Sequence, residues 1–190
     1  MAKSIKKIMH REKKLAELSC KSGGFTEEFA KEKFGVNGSR LQALCDNGFF
    51  ELHEFYRENE EGKLEKKRAF DLGVGAKEYV KENNICSVTQ GLNGYRHTVT
   101  TQEVIYDLVY NQNYNITDIL NEKEQEDYFE DEINKAKAKN IDFRINDIAI
   151  VTDTEIRVIE IETDYRDKLI AQHRAYAEQV IKVSYESVKG

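Results

Sequence analysis

The stretch "INDIAIVTDTEIRVIEIETDYR", Ile145 to Arg166, decides the fold of the second half of the chain. The runs "IAIV" and "IRVIEI" are rich in β-branched residues, and Asp153-Thr154 between them is a turn signal. The pattern therefore predicts two antiparallel strands. Carboxylates within such strands are costly unless they are paired, hydrogen-bonded or bound to a metal ion.

Three carboxylates stand in these strands: Asp147, Glu160 and Glu162. Residues two apart in a strand share a face, so Glu160 and Glu162 point the same way. The turn position pairs residues whose numbers sum to about 307, which puts Asp147 opposite Glu160. Three converging acids would repel one another, and Mg2+ or Mn2+ would relieve that repulsion. These three residues are the predicted catalytic and metal-binding set.

A second interpretation of the same acids stays open. Glu160 and Glu162 would then face solvent on a half-exposed sheet and pair with an arginine, and Asp147 would cap a turn after Asn146. The candidate arginines are Arg144, Arg157 and Arg166.

The pattern around these strands predicts a mixed sheet with helices on it. A helix is expected after Thr100 or Thr101, a strand at "YNITDIL", a charged helix or an exposed excursion at "EKEQEDYFEDEINKAKAKN", a helix at "YRDKLIAQHRAYAEQV" and a last strand at "VIKVSYE". This order resembles the PD-(D/E)xK nuclease-like fold. Asp147 matches the first acid of that motif and Glu160 the second. Glu162 stands in place of the lysine, and Asn146 in place of the proline. Lys168 is the nearest substitute base.

The first half predicts short helices followed by a hairpin. Apolar spacing in residues 5–18 indicates a helix stopped by "SGG", Thr26 caps a second helix that ends at Gly35, and Ser39 caps a third that ends at Asn47-Gly48. "FFELHEFYRENEEGKLEKKRAFDL" is typical of two strands joined at Gly62, and "GVGAKEYVKENN" of a closing helix. Residues 5–84 resemble a winged helix-turn-helix domain.

That resemblance implies that the third helix enters the DNA major groove and that the hairpin contacts phosphates. The predicted DNA-binding residues are Ser39, Arg40 and Gln42 on the helix and Lys63, Lys66, Lys67 and Arg68 on the hairpin. Two alternatives stay open: a solvated surface, and contact with a protein. Glu58, Glu60 and Glu61 on the hairpin oppose a simple basic clamp.

The whole chain resembles the replication-relaxation family of plasmids, phages and integrative elements. The resemblance rests on "GYRHTVTTQEVIYDLV", "INDIAIV" and "VIEIETDYRDKLIAQHRAY". The corresponding family positions are His97, Asp147, Glu160 with Glu162, and Tyr176. The family implies a winged helix joined to a degenerate nuclease-like domain, and a role in replication or its control. His97 also fits the role of a polar residue beside a helix start. Tyr176 also fits the role of a core residue.

The composition of the chain limits which other classes of protein it can belong to. The chain has 190 residues, and it lacks both an apolar run of membrane-span length and a secretory signal. The cysteines (Cys20, Cys45 and Cys86) show no metal-ligand spacing, which indicates reduced thiols in the cytoplasm. Residues 1–85 carry 17 Lys or Arg and 15 Asp or Glu, whereas residues 86–190 carry 12 and 20.

The prediction is an α+β protein of two domains, a winged helix at residues 1–84 and a nuclease-like α/β domain at residues 85–190. We expect a cytoplasmic protein of a mobile genetic element that binds double-stranded DNA, with a homodimer left open. One alternative is a Mg2+-dependent DNA endonuclease that uses Asp147, Glu160 and Glu162. The other is a phage-type inhibitor that binds a protein through its acidic surface.

Overall fold

A computed structural model describes residues 7–59, 61–87, 89, 91–163 and 167–190. The chain divides into two compact units, Met1–Tyr106 and Asp107–Gly190. The division falls within a helix, α5, which runs from Tyr95 to Tyr110. The sequence pattern places the domain boundary earlier, between residues 84 and 85.

Unit 1 contains helices and a three-stranded sheet. Its elements before α5 are α1 (His10–Ser22), β1 (Phe25–Thr26), α2 (Glu27–Phe34), α3 (Gly38–Asp46), β2 (Phe50–Glu58), β3 (Leu64–Leu72) and α4 (Val74–Glu82). Each except β1 matches a predicted element in type and order; the two-residue strand β1 was not predicted. The predicted start of α1 lies partly in residues 1–6, outside the described residues.

Turn and cap chemistry sets these boundaries. Gly23 ends α1 in the left-handed conformation with φ 77°. Thr26 Oγ1 accepts the Phe29 N–H at the start of α2, as predicted. The predicted cap of α3 is wrong: Asn37 caps it by accepting the Arg40 N–H, and Ser39 lies inside the helix. An asparagine two residues earlier provides the same short acceptor, which the serine then hydrogen-bonds.

The sheet of unit 1 has the order β1-β3-β2 and is antiparallel throughout. β2 and β3 form the predicted hairpin, with Phe50 opposite Leu72 and Glu58 opposite Leu64. Phe25 packs on the aromatic rings of Phe50 (centroids 4.9 Å apart) and Phe70 (5.4 Å). These aromatic contacts join the three strands of the sheet to one another.

Unit 2 contains a four-stranded sheet and helices that cover it. After α5 its elements are a 3-10 turn (Ile116–Asp118), β4 (Ile119–Asn121), α6 (Glu122–Tyr128), α7 (Glu130–Ala138), β5 (Ile148–Val151), β6 (Ile156–Glu162), α8 (Asp167–Ala175), a π-helical segment (Tyr176–Ile181) and β7 (Tyr185–Lys189). The structure is therefore α+β, with eight α-helices and two sheets among its described residues.

Three details of unit 2 differ from the sequence predictions. The predicted strand at residues 114–120 is reduced to β4, because a 3-10 turn occupies its first part. α5 begins at Tyr95, so Thr100 and Thr101 lie inside the helix and do not cap it. The last strand starts at Tyr185, because the π-helical segment continues to Ile181.

The sheet of unit 2 has the order β4-β5-β6-β7. β4, β5 and β6 are antiparallel, and β7 is parallel to β6 with α8 as the crossover. Ile148 pairs with Ile159, which is the predicted register. One face of this sheet packs on Phe129, Tyr176 and Val180 from the helices. This core places α8 over the carboxylate-bearing end of β6.

Candidate functional site

The β5–β6 ladder ends at Ile148 and Ile159, and two carboxylates continue it. The Asp147 N–H donates to Glu160 Oε2 at 3.3 Å, and the Ile161 N–H donates to Asp147 Oδ2 at 2.9 Å. Asp147 is 8% exposed and Glu160 is fully buried. Each acid therefore satisfies a backbone donor where the two strands diverge. This arrangement shows how the carboxylates are tolerated in the buried strands.

Glu160 also contacts a histidine that the sequence pattern did not assign to the site. His173 Nδ1 on α8 lies 3.0 Å from Glu160 Oε2. Burial lowers the pKa of His173 below its ordinary value, Arg144 lowers it further, and the charge of Asp147 opposes the shift. The only sequence signal for this contact is the position of His173 on the buried stripe of α8.

Glu162 has a separate partner. The Tyr185 hydroxyl on β7 donates to Glu162 Oε1 at 2.9 Å. Burial, followed by this hydrogen bond, raises the pKa of Tyr185. Of the arginines proposed as partners, Arg157 pairs with Glu186 at 2.9 Å, and Arg166 lies outside the described residues.

Among the described residues, no group of three or more histidine, cysteine, aspartate or glutamate side chains is arranged to hold a metal ion. Asp147 Oδ2 is occupied by a backbone N–H, and Glu160 Oε2 contacts His173. The donor set thus does not form a ready Mg2+ site, which requires near-octahedral oxygen ligands.

Two buried amides lie beside the carboxylates. Gln125 Nε2 on α6 donates to the Asn146 carbonyl at 2.8 Å. Asn146 is fully buried, and within the described part of the chain neither of its side-chain amide atoms has a hydrogen-bond partner. Such groups cost about 1–3 kcal/mol each when left unsatisfied. Asn146, which precedes Asp147 in the chain, therefore carries an unsatisfied side-chain donor and acceptor.

On unit 1, Arg40 binds another part of its own unit. Its guanidinium makes a two-point contact with Glu12 on α1, with Nε–Oε1 at 2.7 Å and Nη2–Oε2 at 2.9 Å. Glu12 is fully buried and also accepts the Met9 N–H at the start of α1. The Glu12 hydrogen bond raises the pKa of Arg40. Arg40 thereby ties α3 to α1.

The hairpin cations are also paired with carboxylates. The nitrogen–oxygen distances are 2.9 Å for Lys63–Glu61, 2.5 Å for Lys66–Glu54, 3.6 Å for Lys67–Glu28, 3.4 Å for Lys67–Glu65 and 3.1 Å for Arg68–Glu27. The four hairpin cations that were predicted to contact DNA phosphates thus lie on a surface that carries both positive and negative charges.

One contact joins α3 to the hairpin. Arg68 Nη2 donates to Gln42 Oε1 at 3.0 Å, and Gln42 Nε2 donates to Asp46 at 2.9 Å. Ser39 and Gln42 are both exposed. The predicted recognition helix and the hairpin therefore present one continuous polar surface, which we call the α3–hairpin surface: Ser39, Gln42, Lys66, Lys67 and Arg68.

The other residues singled out by sequence occupy ordinary positions. His97 lies within α5 and is 8% exposed, with Nδ1 3.3 Å from Thr101 Oγ1. Tyr176 is fully buried in the core of unit 2. Lys168 lies exposed in the first turn of α8.

Comparison with protein-family models, with curated proteins and with solved structures found no match. Within the described ranges, no helix is both long and apolar enough to cross a membrane.

Proposed function

We propose that this protein binds double-stranded DNA through the α3–hairpin surface of unit 1. The observation that carries the proposal is the Arg68–Gln42 hydrogen bond at 3.0 Å, which joins α3 to the hairpin. The order α1-β1-α2-α3-β2-β3 with the sheet order β1-β3-β2 supports a winged helix. In such domains the third helix reads base edges while the hairpin contacts the backbone.

The topology of unit 2 supports a nuclease-like domain as the second part of the proposal. A helix, a strand, two helices, two further antiparallel strands, a crossover helix and a parallel fourth strand follow one another. Asp147 lies at the head of the second strand, and Glu160 and Glu162 lie at the end of the third. Their separate hydrogen bonds, together with glutamate in the lysine position, favour a degenerate domain that serves binding or assembly.

A mobile-element role in replication or its control is the biological part of the proposal. It rests on the resemblance to the replication-relaxation family in "INDIAIV" and "VIEIETDYRDKLIAQHRAY". The topology of unit 1, which supports a winged helix, precedes that of unit 2, which supports a nuclease-like domain. This is the domain order that the family implies. Cytoplasmic localisation is part of the same proposal.

The test is fluorescence anisotropy with labelled duplex DNA over a range of salt concentrations. Lys67→Ala should weaken binding and reduce the slope of log K against log salt by about 1. Lys31→Ala, an exposed change on α2, is the matched control and should leave the slope unchanged. Wild-type protein with no salt-dependent affinity for duplex DNA would reject the proposal.

The alternative function is a metal-dependent DNA endonuclease, and the juxtaposition of Asp147 and Glu160 at the end of the β5–β6 ladder is the observation that favours it. Their carboxylate oxygens would be the ligands of the metal ion. A bound Mg2+ or Mn2+ would supply activated water. Calorimetric titration of either ion into the wild type and Asp147→Asn, with plasmid DNA incubated in parallel, decides this. Metal binding and nicking that both vanish in the variant would establish the enzyme; intact plasmid and no binding heat would remove it.

A further inference from the structure

A second feature of unit 1 lies apart from the α3–hairpin surface. A cavity of about 380 Å³ opens between the start of α1, the α3–β2 turn and α4. Its lining residues are Ile8, Lys13, Asn47, Phe49, Gly75 and Tyr79. Small-molecule sites typically measure about 300–1,000 Å³ and are mostly apolar with a few placed polar groups.

The walls of the cavity are aromatic and aliphatic. Phe49 is only 6% exposed and forms a rigid surface, while Ile8 is half-buried on the α1 side. Tyr79 is held in place because its hydroxyl donates to Glu17 Oε1 at 2.7 Å. Gly75 contributes no side chain, and a Cβ there would stand at ordinary contact distance, 3.5 Å, from Phe49 Cδ2. A larger side chain at residue 75 would extend into the space that glycine leaves open.

One positive charge stands at this cavity. The Lys13 ammonium lies 5.0 Å from the centre of the Tyr79 ring. Among the described residues, Lys13 has no carboxylate within ion-pair distance, whereas its neighbour Lys14 pairs with Glu17 at 2.7 Å. The Glu17 charge is thus already offset by Lys14. An anionic group beside the Tyr79 ring would gain a charge-assisted hydrogen bond from Lys13.

From this combination we propose that the cavity binds a small aromatic carboxylate. The ring of the ligand packs against Phe49 and Tyr79, since aromatic pairs favour offset or edge contacts. Its carboxylate binds the Lys13 ammonium. The site is formed by unit 1 alone and does not depend on DNA binding.

The test uses 2-naphthoate as the probe, titrated into the full chain by calorimetry without DNA. Lys13→Gln should weaken binding about tenfold, because a charge-assisted hydrogen bond is lost. The cation 2-naphthylmethylamine, which carries the same ring system, should bind at least about tenfold more weakly than 2-naphthoate for the same reason. Lys31→Gln, a charge change on α2, is the control and should bind as the wild type does.

Gly75→Leu tests the cavity itself. Leucine is a better helix former than glycine, so the variant should fold with unchanged or raised thermal stability. Its side chain should occupy the space and weaken 2-naphthoate binding about tenfold or more. The proposal would be overturned if 2-naphthoate failed to bind the wild type, if either Lys13→Gln or Gly75→Leu bound it with wild-type affinity, or if the amine bound as tightly as 2-naphthoate. None of these outcomes bears on DNA binding, which is measured separately.

Discussion

The carboxylate of Asp147 accepts the backbone N–H of Ile161 at 2.9 Å, while the Asp147 N–H donates to Glu160 at 3.3 Å. The backbone pairing between β5 and β6 ends at Ile148 and Ile159. Beyond that point, the hydrogen bonds of the two acids take its place. A structural role follows for the acids whether or not a metal ever binds.

Asp147→Ala should therefore destabilise the protein even without metal. The change leaves the Ile161 N–H buried without its acceptor, and we expect a loss of about 1–3 kcal/mol in the free energy of unfolding. Urea denaturation in a chelator measures it. Asp153→Ala in the exposed β5–β6 turn is the control and should change little. Equal stabilities of Asp147→Ala and wild type in chelator would contradict the structural role.

Arg40→Ala should lower stability, because Glu12 is fully buried and loses its two-point partner. Breaking a buried pair from one side costs about 3–5 kcal/mol, and the partial exposure of Arg40 places the expected loss near the lower end. Thermal denaturation measures it. Gln42→Ala on the same helix, which is exposed, should cost far less. Arg40→Ala with wild-type stability would leave the arginine available for DNA.

Glu27→Gln should strengthen DNA binding. Arg68 lies 3.1 Å from Glu27 Oε2, so the substitution removes a carboxylate that competes with phosphate. The pair is partly exposed at the surface, where such pairs are worth about 0–1 kcal/mol, which corresponds to a gain of at most about fivefold in affinity. Anisotropy with duplex DNA measures it.

Glu78→Gln, an exposed change on α4, removes the same charge from a residue outside the α3–hairpin surface and is the control. A gain confined to Glu27→Gln would support the α3–hairpin surface as the DNA contact. The same gain in both variants would show only an effect of net charge.

Asp71→Asn should stabilise the protein at neutral pH. Burial raises the pKa of Asp71, the Leu72 N–H that it accepts and Lys77 oppose the shift, and Glu51, its cross-strand partner, adds a smaller increase. A carboxyl with a raised folded-state pKa contributes stability below its unfolded pKa and loses it as pH rises through the folded pKa. The ionised form is therefore the costly one at pH 7.

Urea unfolding of Asp71→Asn and wild type at pH 7.5 and pH 4 measures how the difference in their free energies of unfolding changes with pH. The variant should be more stable at the higher pH, and the difference should shrink at the lower. Asp153→Asn is the exposed control. A difference that grows on acidification would contradict the assignment.

Cys45 should alkylate slowly at pH 8, because burial raises the pKa of its thiol to about 11. Cys20 and Cys86 are buried and should be protected by the fold. Mass spectrometry after brief iodoacetamide treatment should show little labelling in buffer and three labels in denaturant. Rapid labelling of Cys45 in the folded protein at pH 8 would disagree with its environment.

The sequence was sufficient for the parts of the fold that depend on local chemistry. The β-branched runs and the Asp153-Thr154 turn predicted the register Ile148–Ile159. The caps at Gly23 and Thr26 were also predictable, because their chemistry acts within a few residues. Asn37 and Ser39 compete for one helix start, and two acceptable acceptors so close together cannot be separated by pattern alone.

The candidate site was less predictable, because its partners lie far apart in the chain. Glu12 and Arg40 are 28 residues apart, and nothing in either local pattern specifies the contact. His173 approaches Glu160 only because α8 crosses over β6. The strand register correctly placed Asp147 opposite Glu160. The groups that contact these two carboxylates, however, depend on tertiary packing.

The nine-residue strand β2 lies at the edge of its sheet, and among the described residues only β3 pairs with it. Such an edge invites a strand from another molecule. Here Glu51, Glu54, Arg57 and Glu58 are exposed along it. A second strand added there would bring these charges into close register with its own side chains. We expect these charges to hinder fibrillar self-association, and one of them, Glu54, also pairs with the hairpin cation Lys66.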